Sequence, residues 1–599
     1  MASYSSTQSG NWNDSATWGG SGIPGVGDTA TINGGHVVTI PSGYEAGIGT
    51  DTGTAVTINA NGTLLVNGTL FARGNIVVLA TSTLSGHLKI DGGILKMLSG
   101  FSVTTTTNNL KKVTILDGVA EVVDTSGQRI TAPNSSSIGN NYYNWCFEFR
   151  NSKFYSFGNG ATVSAIDTNA LQTANCYFIM KNNLFKVNGN IIIRSPDLAG
   201  TVFICENNDF RVMSNAYRVT IGGVVADGVT RYIDDCTFYA MSDILVQIPC
   251  VWRRCVVLNA LVSTTVQPPV SIQECGFWVF NSGGGVSLKR LSISRCIFWF
   301  HDPNPHHIGT GTQSYISTVS DCVFDGDGYY SLDTGDTVLV GAGVSGARSR
   351  VNIEGSVVIN SAGTLATLLN NYSEAVIDHC TAYGRDFNGV IRETHVSVGE
   401  SAGTDQHVTI KNSIFYRTPY GAYPYSAYVA NSLEYCDYTA WGSLTGTRVP
   451  NSPLAYVNGR PWRTEYPTDS DYGDVEGWGL NDKRDIDPQF KDSSRRVASY
   501  LAVNQEQGMV EGSNTMSENP GWVVGLRMLR RNGYDENGEP AQWDNRYTPV
   551  QVLDWIRDGF RPQNVVLQAA ASDGTDIGAM PVEIPVYPQG WNNRVWMVI

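Results

Sequence analysis

The feature that most constrains this chain is a short motif that returns twelve times between residues 147 and 438. It runs through FEFRNSKF (147–154), YFIMKNNLF (177–185), FICENNDF (203–210), RYIDDCTF (231–238), VWRRCVV (251–257) and SIQECGF (271–277). It continues through SISRCIF (292–298), TVSDCVF (318–324), NIEGSVV (352–358), AVIDHCTA (375–382), TIKNSIF (409–415) and SLEYCDY (432–438). Each copy offers an apolar residue, two mostly polar ones, a small residue, a variable one and a closing apolar one. The small position is held by Ser152, Asn183, Asn208, Cys236, Cys255, Cys275, Cys296, Cys322, Ser356, Cys380, Ser413 and Cys436, spaced 19 to 34 residues apart. Spacing with a floor but freely growing gaps predicts a fixed coil that carries loop insertions, which is a solenoid.

In such a stack, short strands bond to the coils above and below at about 4.8 Å. The small residue and the apolar residue two places later are expected to point inward. The residue before the small one is expected at a corner: Asn151, Asn182, Asn207, Asp235, Arg254, Glu274, Arg295, Asp321, Gly355, His379, Asn412 and Tyr435. Six of these are Asn or Asp and one is Gly, the types that best tolerate a left-handed backbone. The chain has eleven cysteines, an odd number, and seven fall on the small position. They are expected to be free buried thiols filling the bend rather than disulfides or metal ligands.

This ladder resembles the right-handed parallel β-helix proteins of the pectate-lyase-like superfamily, which include phage tailspikes and polysaccharide lyases. The resemblance covers roughly residues 30 to 440 and implies an all-β fold while leaving function open, since that fold hosts lyases, hydrolases, esterases and adhesins. At the start, Trp12, Trp18, Pro24, Gly27, Asp28, Ile32, Gly35 and Val38 look like the opening of the eight-glycine domain of surface β-helices. Two tryptophans there suit a cap over an exposed core and strand edges; a carbohydrate-binding role for them is the alternative. Near the end, IDPQF (486–490) and SDGTDIGAM (572–580) resemble paired closing elements of β-helices. Asp487 and Asp576, which open them, lie 89 residues apart. An insertion over about 493–565 is expected to account for the gap. Within it, Thr548 is set to cap a helix starting at Pro549, with Leu553 and Ile556 on its apolar face and Gly559 as its stop. Trp522–Arg531 is a second expected helix. The domain reading is therefore a capping region over 1–50, the β-helix over 51–440, and a closing region over 441–599.

Charged residues make up only 16% of the chain and the net charge is −14, which argues against a nucleic-acid partner. Met1–Gly10 has no apolar core, so no cleaved secretory signal is expected, and no stretch is apolar enough to insert in a membrane. No nucleotide loop, zinc spacing or Ser-His-Asp order is present.

Chemistry is sought where the repeat is interrupted. The gap after Cys322 holds FDGDGYYSLDTGD (324–336), and the gap after Cys380 holds YGRDFNGVIRETH (383–395). Two coils separate them, about 10 Å along the stack. That is close to the carboxylate spacing of inverting glycosidases, roughly 6.5–9.5 Å. Asp325, Asp327, Asp386 and Glu393 are thus the catalytic candidates, with Arg385 and Arg392 as substrate ligands. Ordinary polar loops are the competing reading. Asp325, Asp327, Asp333 and Asp336 are also candidate oxygen ligands for Ca²⁺, against a solvated acidic loop. No other cofactor is expected. HDPNPHH (301–307) gathers His301, Asp302, His306 and His307, for which a rigid exposed turn is favoured over a metal site. Trp278 and Trp299 fall three places after the small residue on successive coils. They are expected to stack facing outward, as a sugar-binding strip or a subunit contact, whereas Trp252 is expected in the core.

The resemblance, the absent signal, the capped start and the elaborate end together imply a phage tailspike or tail fibre. Such a protein is made in the host cytoplasm, carried on the virion tail with other tail proteins, and homotrimeric. It is expected to bind host surface polysaccharide, with degradation of that glycan left open. A bacterial polysaccharide lyase or hydrolase and a purely structural virion protein are the alternatives.

Overall fold

The computed structural model describes residues 1–79, the strands and adjoining corners of successive repeats between 86 and 462, and residues 486–500 and 548–580, together with a few residues between these stretches. The chain divides into two compact units, Met1–Gly311 with Leu501–Gln551, and Thr312–Tyr500 with Val552–Ile599. Each is built from long sheets of stacked parallel strands, an all-β arrangement consistent with a β-helix.

In the first unit the described repeats after the opening turn give one strand to each of three parallel sheets. The first sheet receives Thr29–Ile32, Thr54–Ile58 and Asn75–Val78; the second receives Val37–Ile40, Thr63–Val66 and His87–Asp91; the third receives Glu45–Ile48, Thr69–Ala72 and Ile94–Met97. Strands pair with the equivalent strand one repeat on: Leu64 opposes Val38 and Leu88 opposes Leu64. Burial alternates along most of these strands, as in Thr69–Ala72, so Leu70 and Ala72 point inward. The stack begins at once, because Ser3–Ser5 and Gly10–Asn11 already pair with Thr29–Ile32 and Val37–Ile40. Trp12 and Trp18 are buried there and meet edge to face at 5.0 Å, with Trp18 Nε1 donating to the Trp12 carbonyl at 2.8 Å. Burial of both rings leaves no face for a sugar to stack on.

The corner between the second and third sheets is where the repeat motif falls. Eleven of the twelve expected corner residues, Asn151 through Asn412, have φ between 48° and 58°. The ladder also starts earlier than the motif, at Gly92 and Asp117. The last copy is a correction. Tyr438, not Tyr435, has the positive φ, and Tyr435 and Cys436 lie inside the strand Leu433–Asp437, opposite Thr409 and Ile410. The motif was misaligned by three residues because Cys436 mimicked a small-position cysteine.

The small position owes its chemistry to that corner. A left-handed residue turns the next backbone N–H off the strand ladder and into the interior, where an unpaired donor is costly. The side chain of the following repeat's small residue accepts it. Ser152 N donates to Asn183 Oδ1 at 3.1 Å, Cys255 N to Cys275 Sγ at 3.3 Å, Cys275 N to Cys296 Sγ at 3.4 Å and Cys380 N to Ser413 Oγ at 3.1 Å. Asn, Ser and Cys share the position because each is compact and ends in an acceptor. Two places later the closing apolar residues stack: Phe154, Phe185, Phe210 and Phe238 lie 4.6–5.1 Å apart in near-parallel pairs. The eight described cysteines are all free and buried, and burial pushes the thiols of Cys250 and Cys380 up to about 12. Trp252 is in the core, as expected.

The outer face of the third sheet changes along the first unit. Thr69–Ala72 and Ile94–Met97 leave alternate residues half-buried, whereas every residue of Asp209–Val212 and Val256–Leu258 is buried. Trp299 belongs to the second kind. It pairs in register with Trp278, but it is 1% exposed, so the outward-facing strip is a correction for that ring. Simple alternation fails there because both faces of the strand are covered.

In the second unit the strands Ile316–Ser320, Ser349–Glu354, Ser373–Asp378 and His407–Lys411 form one parallel sheet, and Val323–Asp325, Val357–Ile359, Thr381–Tyr383 and Ile414–Tyr416 another. Residues from the C-terminal region cover the outer face of the latter. Thr548 Oγ1 accepts from Gln551 N while Gln551 Oε1 accepts from Thr548 N, a capping box that opens the helix Pro549–Gly559 as expected. The two closing elements meet despite their separation. Asn564 Nδ2 donates to the Asp487 carbonyl at 2.8 Å, and Ile486 and Phe490 pack with Ile414, Leu567, Ala571 and Ile577. The helix expected over 522–531 lies outside the described residues.

Candidate functional site

The second unit's corner row, Asp321, Gly355, His379 and Asn412, is not left to solvent. The closing segment Ala569–Ala579 runs along it and is fastened through its backbone. Ser572 N donates to Asn412 Oδ1 at 2.7 Å, Gly578 N to the Asn412 carbonyl at 2.8 Å and Ala579 N to Thr381 Oγ1 at 3.0 Å. Gly578 (φ 107°) is needed here, since a Cβ would lie 2.5 Å from the Ile414 side chain. From the helix, Arg557 reaches the same row. Its Nη2 donates to Asp321 Oδ1 at 2.8 Å, to the Gly355 carbonyl at 3.0 Å and to the Ala579 carbonyl at 3.2 Å.

Between corner row and segment lies a groove of about 450 Å³, lined by Ser320, Asp321, Glu354, Gly355 and His379 on one side and Thr575, Asp576, Gly578 and Ala579 on the other. Its electrostatics are set by neighbouring strand ends. Asp378 accepts from His379, Lys411 and Asn412. Burial opposes its ionisation, but those donors outweigh burial and hold the carboxyl down at about 2. Burial likewise opposes the charge on His379, and the carboxylates of Asp378, Asp573 and Glu354 outweigh it, so the imidazole titrates above its ordinary value. Arg557 neutralises Asp321, whose side chain keeps 47% of its surface exposed. Glu354 is exposed at the end of its strand, and Asp576 holds the turn by accepting from Ala569 N at 2.8 Å. The groove therefore offers carboxylates and a hydroxyl to a ligand, with the imidazole engaged by Asp378 and Thr575, and its wall charges sum to negative.

The sequence candidates fall elsewhere. Asp325 is fully buried and accepts from Val497 N at 2.7 Å, which ties the short helix Val497–Tyr500 to the sheet. Asp386 lies in the hairpin Asp386–Phe387 with Val390–Ile391, for which the structure describes the backbone. Asp327, Asp333, Asp336, Arg385, Arg392, Glu393 and the 301–307 loop lie outside the described residues, as does the side chain of Trp278. Among the described residues no group of three or more His, Cys, Asp or Glu is placed to hold a metal ion, and no helix is long and apolar enough to cross a membrane. The groove is not legible in the repeat because one wall arrives from some 200 residues downstream. The available signal was a histidine at a corner where Asn, Asp or Gly is the comfortable choice.

No known protein family matches the chain, and no curated protein matches it.

Proposed function

We propose that this chain is a right-handed parallel β-helix of the tailspike or tail-fibre kind that binds polysaccharide on a host cell surface, with the groove beside Glu354 and His379 as its sugar site. The observation that carries the reading is the groove itself. Its volume falls within the roughly 300–1,000 Å³ of small-ligand sites, and its wall is built of side chains that bond hydroxyl groups. The solenoid-like repeat and the resemblance of its motif support the tail-protein context, in which the protein acts as a homotrimer with other virion tail components. The negative wall favours neutral or amino-sugar units over uronates, because a second carboxylate opposite Glu354 and Asp576 meets like charge.

The test is binding of the full chain to purified capsular and lipopolysaccharide glycans from a panel of bacterial strains, with gene neighbours guiding the panel. A glycan should be retained by the wild type, and Glu354→Gln or His379→Asn should weaken retention by about tenfold. Release of soluble oligosaccharide in the same assay would extend the reading to depolymerisation. Retention by no glycan, or equal retention by both variants, overturns the groove as the sugar site. Sedimentation as a monomer at micromolar concentration overturns the trimer.

A further inference from the structure

We propose that His379 is a pH-dependent latch: as an imidazolium it clamps the closing segment onto the corner row, and on losing a proton it releases the groove wall that this segment forms. The geometry assigns both ring protons. Nδ1 lies 2.9 Å from Asp378 Oδ1, and Nε2 lies 2.8 Å from Thr575 Oγ1. The Thr575 hydroxyl has one proton, and it goes to Asp573 Oδ1 at 2.6 Å, since a carboxylate can only accept. Thr575 Oγ1 must therefore accept from Nε2–H. Asp378 is likewise an acceptor, already served by Lys411 Nζ at 2.9 Å and Asn412 Nδ2 at 2.8 Å, so Nδ1 must also carry a proton. The result is an unbroken chain, Asp378 to His379 to Thr575 to Asp573, that runs from strand end to closing segment with an imidazolium between two carboxylates.

A neutral imidazole has one N–H and breaks this chain at one end or the other. The groups facing the ring act in the same direction. From the sheet come Asp378 and Glu354, with Lys411 spent on Asp378; from the closing segment come Asp573, at 3.6 Å from Nε2, and Asp576 in the same groove wall. Loss of the proton leaves these carboxylates facing one another across the contact. The folded-state proton affinity is raised, so the clamp is complete below the ring's unfolded value and is lost as pH rises through the folded one. The left-handed backbone at His379 (φ 48°) adds a constraint, because it fixes where the ring projects. Nothing in this proposal depends on what the groove binds.

The experiment is hydrogen exchange of the amides of Ser572, Gly578 and Ala579, corrected for intrinsic rates, from about pH 6 to about pH 9. Nitrogen-labelled histidine spectra of the same samples report the ring. His379→Asn is the variant of choice, since Asn serves this corner at Asn151, Asn182, Asn207 and Asn412, and Thr575→Val breaks the chain from the other side. In the wild type, protection of the segment should fall about tenfold across that range, in step with loss of the doubly protonated ring signal. Both variants should show low protection that does not vary with pH. A neutral ring throughout the range, or the same pH dependence in His379→Asn as in the wild type, overturns the latch.

Discussion

The same corner position does two different jobs in the two units. In the first unit corner side chains bond to one another. Asn151 donates to Asp117, Asn182 to Asn151 and Asn207 to Asn182, each at 2.9–3.0 Å. Arg254 then forks onto Asp235 through two bonds of 2.8–2.9 Å. In the second unit Asp321, His379 and Asn412 bond to Arg557, Thr575 and Ser572, which come from far along the chain. A repeat whose neighbours satisfy each other is finished as structure. One whose neighbours do not match is left with bonding capacity, and here the closing segment takes it up and encloses a groove.

The largest effect that separates corner chemistry from interior chemistry is expected at Asn183. Its Oδ1 accepts from Ser152 N and its Nδ2 donates to the Phe149 carbonyl at 2.8 Å, all within the core. Asn183→Ala keeps the position small but strands those backbone groups, so chemical denaturation should report a loss of about 3 kcal/mol or more. A loss near zero would mean that the small position needs only size, which would undo the account of why Asn, Ser and Cys share it.

Arg557→Met comes next. It removes three bonds to the corner row and closing segment while leaving a half-exposed Asp321, which water can serve. A loss of about 2–3 kcal/mol is expected, with faster amide exchange in Ala569–Ala579. Equal stability would show that the segment is held without the row. At Gly355 (φ 58°) a Cβ would stand 2.7 Å from Asp321 Oδ1. Gly355→Ala should cost about 1–2 kcal/mol, more than Asn182→Gly costs in the first unit. The reverse ranking would mean that the second unit's corners are no more constrained than the first's.

These expectations mark how far the sequence could be read. Eleven corners are legible because the small residue that follows each one marks the position, and at seven of them the left-handed backbone is also met by Asn, Asp or Gly. The twelfth was misplaced by three residues, since Cys436 satisfied the pattern without satisfying the register. Trp299 was misjudged because two-residue alternation says which side of a strand a ring takes and nothing about what lies over that side. The groove was illegible for a related reason. The gaps between repeats are where the sequence points for function and its corner residues look purely structural, yet His379 and Asp321 are corner residues. What makes them candidates is Thr575, Asp576 and Arg557, and spacing within a repeat carries no information about partners some 200 residues away.

Acid titration sharpens the comparison on the anionic side. Asp378 is held down at about 2 by His379, Lys411 and Asn412, below the ordinary unfolded value of about 3.9. Its contribution is therefore present above that unfolded value and disappears as pH falls toward about 2. Because the group is only half-buried, screening limits the effect to about 1 kcal/mol. Asp378→Asn should flatten the acid limb of the second unit's unfolding and leave the first unit's unchanged. A limb that keeps its slope in the variant would assign the acid sensitivity to other carboxylates.

The smallest effect is expected where the corner is self-contained. Arg254 and Asp235 form a forked pair, but both side chains keep contact with water, at 33% and 20% exposure. Two opposing terms decide its worth. The fork gains attraction in two parallel bonds, and it gives up hydration and the freedom of a long side chain. For a pair this exposed the terms nearly cancel, so Arg254→Met should cost under about 1 kcal/mol. A double-mutant cycle with Asp235→Asn should return a coupling of about 0.5 kcal/mol that shrinks as salt is added. The backbone points the same way, because the left-handed corner at Arg254 is held by the strands on either side rather than by its guanidinium. A coupling above about 2 kcal/mol, insensitive to salt, would show that the first unit's corners depend on charge as much as the second unit's do, and the division between the two would fail.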